Sequence, residues 1–228
     1  MNKLVIVVAI LSLPVIFAIG GSDKLFAQSG KLNGYEYVDL GLPSGTKWAT
    51  CNIGAKTPES YGDLFAWGET KSKSSFGGLT YSLNDEVSAT LKKYSTETTV
   101  KHGEKPDSLH VLEDVDDAAA ANWGKGWRMP TDVDFAELLS NCTATWTEQN
   151  GVSGYMFTGS NGNSIFLPAA GWCSTDNIID RGSNGCYWCK NLNVENVFRA
   201  YNLEFSSGSC KVNDSRRSDG ISVRPVCN

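Results

Sequence analysis

Cys186 and Cys189, in the run Cys-Tyr-Trp-Cys, are the residues in this chain best spaced for chemistry. A reactive pair of this spacing starts a helix, where the helix dipole lowers the thiol pKa. Here Gly185 precedes the pair and the stretch reads as a strand. Positions i and i+3 of a strand point to opposite faces, so a local bridge is strained. A zinc site needs two more ligands in a compatible array. The chain holds seven cysteines, the others being Cys51, Cys142, Cys173, Cys210 and Cys227. An odd count leaves at least one thiol unpaired or paired between chains. The two histidines, His102 and His110, lie in a polar stretch with no cysteine nearby. They read as solvated loop residues, and supply neither a metal site nor a Ser-His-Asp triad. The acids of Asp114-Val-Asp-Asp117 lack the alternating ligands and glycine of a calcium loop and read as the capped start of a short helix. The sequence therefore predicts no catalytic residue, no metal and no cofactor.

Elements that could position such groups follow from pattern and punctuation. The chain has 228 residues and a net charge of −5, which gives no basic footprint for nucleic acid. Lys3 and the apolar run Leu4 to Ile19, broken only by Ser12 and Pro14, read as an export signal ending at Ala27. An uncleaved membrane anchor is the alternative, the run being near the lower limit of about 17 residues for spanning a bilayer. Export permits disulfides. Residues 28–34 read as a linker and 35–228 as one domain, with 70–112 a polar surface insertion holding a short helical stretch around Ser88 to Tyr94. Thr131 caps a helix over Asp132 to Ser140, with Asp134 completing a capping box and Phe135, Leu138 and Leu139 on its apolar face. Tyr155–Thr158 and Ser164–Leu167 form a hairpin around an Asn-Gly turn. Further strands are predicted at Tyr35–Leu40, Gly185–Lys190, Arg199–Phe205, Ser209–Asn213 and Ile221–Val226.

Alternation divides the C-terminal strands. Leu203 and Phe205 share one face, taken as core, and Asn202 and Glu204 the other, taken as presented. Ser209, Lys211 and Asn213 likewise alternate with Cys210 and Val212. The run Asp214-Ser-Arg-Arg-Ser-Asp219 is entirely polar. This palette of Asn, Ser, Arg, Tyr and Gly is that of a binding face with adaptable polar contacts and a few aromatic anchors, or of an ordinary polar surface.

Five motifs carry a family resemblance: YVDLGLPSGTKWAT (37–50), PESYGDLFAWGET (58–70), DDAAAANWGKGWRMPT (116–131), NGNSIFLPAAGW (161–172) and ISVRPVC (221–227). In this order the chain resembles the Fibrobacter succinogenes major paralogous domain family of Bacteroidetes surface and secreted proteins. GWRMPTDVDF (126–135) is similar to a signature of formylglycine-generating enzymes. The resemblance implies an α+β, C-type-lectin-like fold: small twisted antiparallel sheets, two short helices and long loops. It also implies kinship with variable proteins rewritten by diversity-generating retroelements, with Cys186, Cys189 and Cys210 as products of such substitution. The ligand-binding face it implies comprises Asn184, Tyr187, Lys190, Asn191, Asn193, Tyr201, Asn202, Glu204, Ser209, Lys211, Asn213, Arg216 and Ser218. The expected partner is an extracellular protein or glycan, and a membrane only if the first segment is uncleaved. Two other readings are a formylglycine-generating-type enzyme and a structural surface component without a ligand. Cys186 and Cys189 do not match the enzyme's motif, and no Glu-Pro-Asn or Gln-Pro-Asp sugar motif occurs.

Overall fold

The computed structural model describes residues 29–84 and 90–228. The export segment and the start of the Ser88–Tyr94 stretch lie outside those residues. Small antiparallel sheets dominate and two short helices accompany them, so the class is α+β with β prevailing. The first sheet joins β1 (Gly30–Leu32), β2 (Tyr35–Asp39) and β3 (Lys47–Ala49) to the last strand. After β4 (Leu64–Phe65) come the helices α1 (Ala118–Trp123) and α2 (Asp132–Asn141). A meander follows: β5 (Thr143–Gln149), β6 (Val152–Thr158) and β7 (Ser164–Pro168). A short hairpin, β8 (Trp172–Ser174) and β9 (Asn177–Ile179), leads to the C-terminal strands. These are β10 (Asn184–Leu192), β11 (Arg199–Ser206), β12 (Ser209–Arg216), β13 (Ile221–Ser222) and β14 (Val226–Cys227). The largest sheet has the order β12-β11-β10-β13-β4. β14 closes the first sheet against β3, so the two ends of the domain are tied together.

Strand β10 is the wall between two hydrophobic cores. Cys186 and Trp188 face one, with Trp67, Tyr94, Trp127 and Val223. Tyr187 and Cys189 face the other, with Trp48, Phe135, Phe157, Leu203 and Phe205. Burial on both faces has a direct cost in side-chain choice: every residue of Gly185–Cys189 is buried. Gly185 is where Phe205 crosses the sheet, since a Cβ there would stand 2.1 Å from the ring.

The segment 70–112, expected as a surface insertion, is a correction. Phe76, Tyr81, Leu91, Tyr94 and Leu112 are buried. Residues 90–94 are not helical. Widely spaced apolar residues in a polar background leave no periodic signal, yet each fills a gap in a core built by other elements. Tyr94 packs edge-on to Trp67 at 5.0 Å. Helix α1 also begins later than the acid run suggests. Asp117 is its N-cap, accepting from the amides of Ala119 and Ala120, and it also accepts from Met129 N at 2.9 Å.

Helix α2 opens on the expected capping box. Thr131 Oγ1 accepts from Asp134 N at 3.1 Å, and Asp134 Oδ2 accepts from Thr131 N at 2.7 Å. Arg128 adds a two-point contact to the same carboxylate at 2.6 and 3.1 Å. Burial alone raises the Asp134 pKa, but the Arg128 and Thr131 hydrogen bonds outweigh it and hold the carboxyl below its ordinary value. The lowered pKa fixes the sign: this contribution is fully present above the ordinary 3.8 and is lost as pH falls through the folded value. Asp134→Ala is expected to cost about 2–4 kcal/mol at pH 7, through lost cap and ion pair. In urea melts run from pH 7 to pH 2, the gap to wild type should narrow at the acid end. A gap independent of pH contradicts the assignment.

Candidate functional site

The register of the C-terminal strands decides what the chain presents. Cys186 lies opposite Glu204 and Trp188 opposite Asn202 across β10 and β11. Asn202 lies opposite Asn213, and Glu204 opposite Lys211, across β11 and β12. Opposed residues share a face, so Cys186, Glu204, Asn213 and Lys211 stand together. Part of this face is covered by the first core. The rest opens into a cavity of about 400 Å³ whose wall includes Trp172, Cys186, Glu204, Asn213, Arg216 and Asp219.

Asn213 Nδ2 donates to Glu204 Oε2, fixing that carboxylate at the sheet surface. Arg199 and Asp214, also on the wall, are paired with each other through Nε and Oδ1 and through Nη2 to the Asp214 carbonyl at 2.7 Å. Ser215 Oγ accepts from Asn202 Nδ2 at 2.8 Å, and Asn202 Oδ1 has no partner among the described residues. Asp219 is 8% exposed. Burial raises its pKa, opposed by the positive charges of Arg216 and Arg199. A second cavity of about 370 Å³ shares Arg199 and Arg216 with the first and is lined further by Phe198, Arg217 and Ser218.

The thirteen residues expected on the face divide. Glu204, Asn213 and Arg216 line the first cavity, and Arg216 and Ser218 the second. Ser209 and Lys211 are exposed on β12. Asn184 is half-buried at the start of β10, opposite Ser206. Tyr187 and Asn202 are corrections, both 0% exposed. Tyr187 lies opposite Leu203, hence on the core face, and its hydroxyl donates to Pro168 O at 2.6 Å. Asn202 has the expected parity but sits beside Trp188, where the first core reaches under the sheet. Tyr201 is half-buried and packs against the second core. Lys190, Asn191 and Asn193 are tied to the protein itself. Lys190 pairs with Asp114 at 3.1 Å and with buried Asp117 at 3.3 Å. Asn191 Oδ1 accepts from Asp132 N at 3.3 Å, and Asn193 Nδ2 donates to Asp214 at 2.7 Å.

Trp172, Arg199, Asp214, Ser215 and Asp219 were missed. Trp172 ends one of the family-like motifs, and the acids lie in a polar run without periodicity. The seven cysteines are free thiols. Burial pushes the Cys186 thiol up to about 12, with Glu204, Asp180 and Asp219 adding to the effect. Burial raises Cys189 well above its ordinary value too. The pair points into different cores. His102 and His110 are exposed. Among the described residues no three His, Cys, Asp or Glu gather as metal ligands, and no helix is long and apolar enough to cross a membrane.

Comparison of the chain with protein-family models, with curated proteins and with solved structures finds no match.

Asp219 yields a prediction of opposite sign to Asp134. A raised carboxyl pKa means that the folded protein binds the proton more tightly than the unfolded chain. Its contribution is therefore most favourable below the ordinary 3.8 and is lost as pH rises through the folded value. Asp219→Asn is expected to raise Tm at pH 7, with the gain shrinking as pH falls toward 3. A lower Tm at pH 7 would show that the carboxylate is held for stability. A gain marks a charge kept against stability, as binding sites do.

Proposed function

We propose that this chain is an exported ligand-binding or adhesion module of C-type-lectin-like fold, similar to the Fibrobacter succinogenes major paralogous domain proteins. The C-terminal sheet receives an extracellular protein or glycan, and retroelement diversification acts on its open positions. The observation that carries the reading is the cavity of about 400 Å³ on one face of β10–β12, while Leu203 and Phe205 on the opposite face belong to the core. A rigid strand scaffold with exposed Lys211 and Arg216 and half-buried Glu204 and Asn213 suits recognition. Thiols pushed toward protonation on opposite faces of one strand favour binding over a cysteine-based oxidation.

The test is a glycan and protein array probed with the purified exported chain and with a variant carrying Ala at Glu204, Lys211 and Arg216. These positions have side chains at the surface, whereas Asn202 is buried and altering it confounds binding with folding. A ligand bound by wild type and lost by the variant supports the reading. Equal binding by both removes this face from the account. Sequencing of sibling genes is expected to concentrate substitutions at Glu204, Ser209, Lys211, Asn213, Arg216 and Ser218, and to spare Tyr187 and Asn202. Substitutions spread evenly over the surface would count against diversification.

A further inference from the structure

A sheet edge exposes a row of unpaired N–H and C=O groups, and proteins blunt it by shortening, charging or covering the strand. Most edges here are blunted. β1, β8 and β9 are three residues long, and β4 and β14 two. On β7 the outward carbonyls of Phe166 and Pro168 are taken by Arg224 and by the Tyr187 hydroxyl. β12 carries Lys211 and Arg216. β5 is the exception. It has seven residues, Thr-Ala-Thr-Trp-Thr-Glu-Gln, with no proline, lysine, arginine or bulge, and it lies at the edge of its sheet.

The register shows which groups of β5 are free. Asn150 and Gly151, with φ of 50° and 80°, make a two-residue turn that closes on Gln149 and Val152. Hydrogen-bonded pairs recur at every second residue from that closing pair. Thr143, Thr145, Thr147 and Gln149 therefore bond β6, while Ala144, Trp146 and Glu148 turn their N–H and C=O outward. The same alternation requires Ser153, opposite Glu148, to face β7, and its carbonyl accepts from Ala169 N at 2.8 Å. No described residue bonds the outward backbone groups of β5. Ala144 and Glu148 are exposed. Trp146 is half-buried, its ring centre 5.5 Å from that of Tyr155 and 6.3 Å from that of Phe205.

We propose that β5 pairs with the β5 of a second copy of this chain, antiparallel about a twofold axis at Trp146. The strand is complementary to itself in that register. Trp146 meets its own copy, Ala144 meets Glu148, Thr145 meets Thr147 and Thr143 meets Gln149, so no like charges oppose. The outward residues are the ones that then form hydrogen-bonded pairs, and the open part of each indole gains apolar cover. The pairing does not depend on the ligand-binding reading. Phe205, beside Trp146, belongs to the second core, whereas the cavity next to Cys186 and Glu204 is on the other face of the C-terminal sheet.

The experiment follows the exported chain by sedimentation velocity from about 1 to about 500 μM, with amide hydrogen exchange at both ends of that range. A dimer with a Kd on the order of 10–100 μM is expected, a single strand pair being a small interface. Exchange at Ala144, Trp146 and Glu148 should slow with concentration, and at Thr145 and Thr147, already bonded to β6, far less. Ala144→Glu sets like charges opposite each other twice per dimer and should weaken it about tenfold. Adding Glu148→Lys makes both pairs opposite in charge and should restore or exceed the wild-type affinity. Both positions are exposed, so the monomer's fold should be unchanged. Should Ala144→Glu fail to fold, the exchange pattern of the wild-type chain decides. A monomer at about 500 μM overturns the proposal. So does a dimer that Ala144→Glu leaves intact, or one whose protection falls on β12 instead. Protection of the three amides only when an unrelated protein is added, the chain alone staying monomeric, refutes the second copy as occupant.

Discussion

Replacing Arg224 by Met is expected to leave the chain without a cooperatively folded state at 25 °C, or with at least about 4 kcal/mol less stability. Arg224 is 0% exposed and forms no ion pair with a carboxylate among the described residues. Its guanidinium donates instead to four oxygens. Nε reaches Asn52 Oδ1 at 2.9 Å, Nη1 the carbonyls of Ala49 and Thr50 at 3.0 Å, and Nη2 the Phe166 carbonyl at 2.9 Å. These acceptors lie on three separate parts of the chain, so the one side chain fastens the end of β3, the loop after it and strand β7 to the C-terminal segment. Burial lowers the Arg224 pKa, so the charge itself is a burden, and methionine of similar length relieves that burden. The loss comes from the orphaned acceptors, each worth about 1–3 kcal/mol when left buried and unpaired. Arg224→Lys is expected to fall between, since an ammonium has three donors in a compact head and cannot reach four oxygens spread around a plane. Urea melts by tryptophan fluorescence decide it. A Met variant within about 1 kcal/mol of wild type would mean that water replaces the guanidinium at every acceptor.

Arg224 also shows what can and cannot be read from sequence. The motif ISVRPVC reads as one strand over Ile221–Val226, yet it divides between β13 and β14 in two different sheets, and nothing in its own residues names the oxygens that Arg224 serves. Three of the four are backbone carbonyls, and backbone carries no sequence signal. Helix α2 was legible to its cap because Thr131 and Asp134 are three residues apart and act locally. The β6–β7 hairpin was legible for the same reason, its turn and its alternation being adjacent in the chain. Non-local matters were not. Alternation within β11 correctly put Asn202 and Glu204 on one face. Alternation cannot say that Trp188 of β10 comes to lie beside Asn202 and that a second core closes over both. The parity of Tyr187 was equally open until the register placed it opposite Leu203. The cavity wall joins β8, β10, β11, β12 and the turn before β13. Its assembly from Trp172 to Asp219 depends on the order in which those strands pair, which the sequence does not spell out.

Arg217 presents the same contrast within a polar run, and its removal has the second large expected effect. It lies in the run Asp214–Asp219, which is entirely polar, yet it is 1% exposed. Its Nε donates to Tyr81 Oη at 3.0 Å, and its Nη atoms to the carbonyls of Tyr94, Val197 and Lys93, each at 3.1 Å. The guanidinium also lies 4.8 Å from the Trp67 ring centre, and near the rings of Tyr81 and Tyr94. Three aromatic faces partly replace the water that the cation has given up, and no carboxylate is needed. Three of the four acceptors, the Lys93 and Tyr94 carbonyls and the Tyr81 hydroxyl, belong to the polar segment after β4. Arg217 thus ties this segment to the turn after β12, beside the apolar contacts of Tyr81, Leu91 and Tyr94. Arg217→Ala is expected to cost about 3–5 kcal/mol, by orphaning those acceptors and emptying the space between the rings. The damage should be regional: amides of residues 90–96 should exchange with deuterium much faster, while those of α2 and β6 change only as global stability does. Because Arg216 and Ser218 flank it, both cavities lose their shared ridge, so ligand capture should fall in parallel. Arg217→Lys keeps a cation among the rings and should recover part of the stability but not the protection at Lys93 and Tyr94, whose carbonyls need the planar fork. Unchanged exchange in residues 90–96 of the Ala variant would show that this segment is held by its own tyrosines and leucines, and that Arg217 is a passenger in the core.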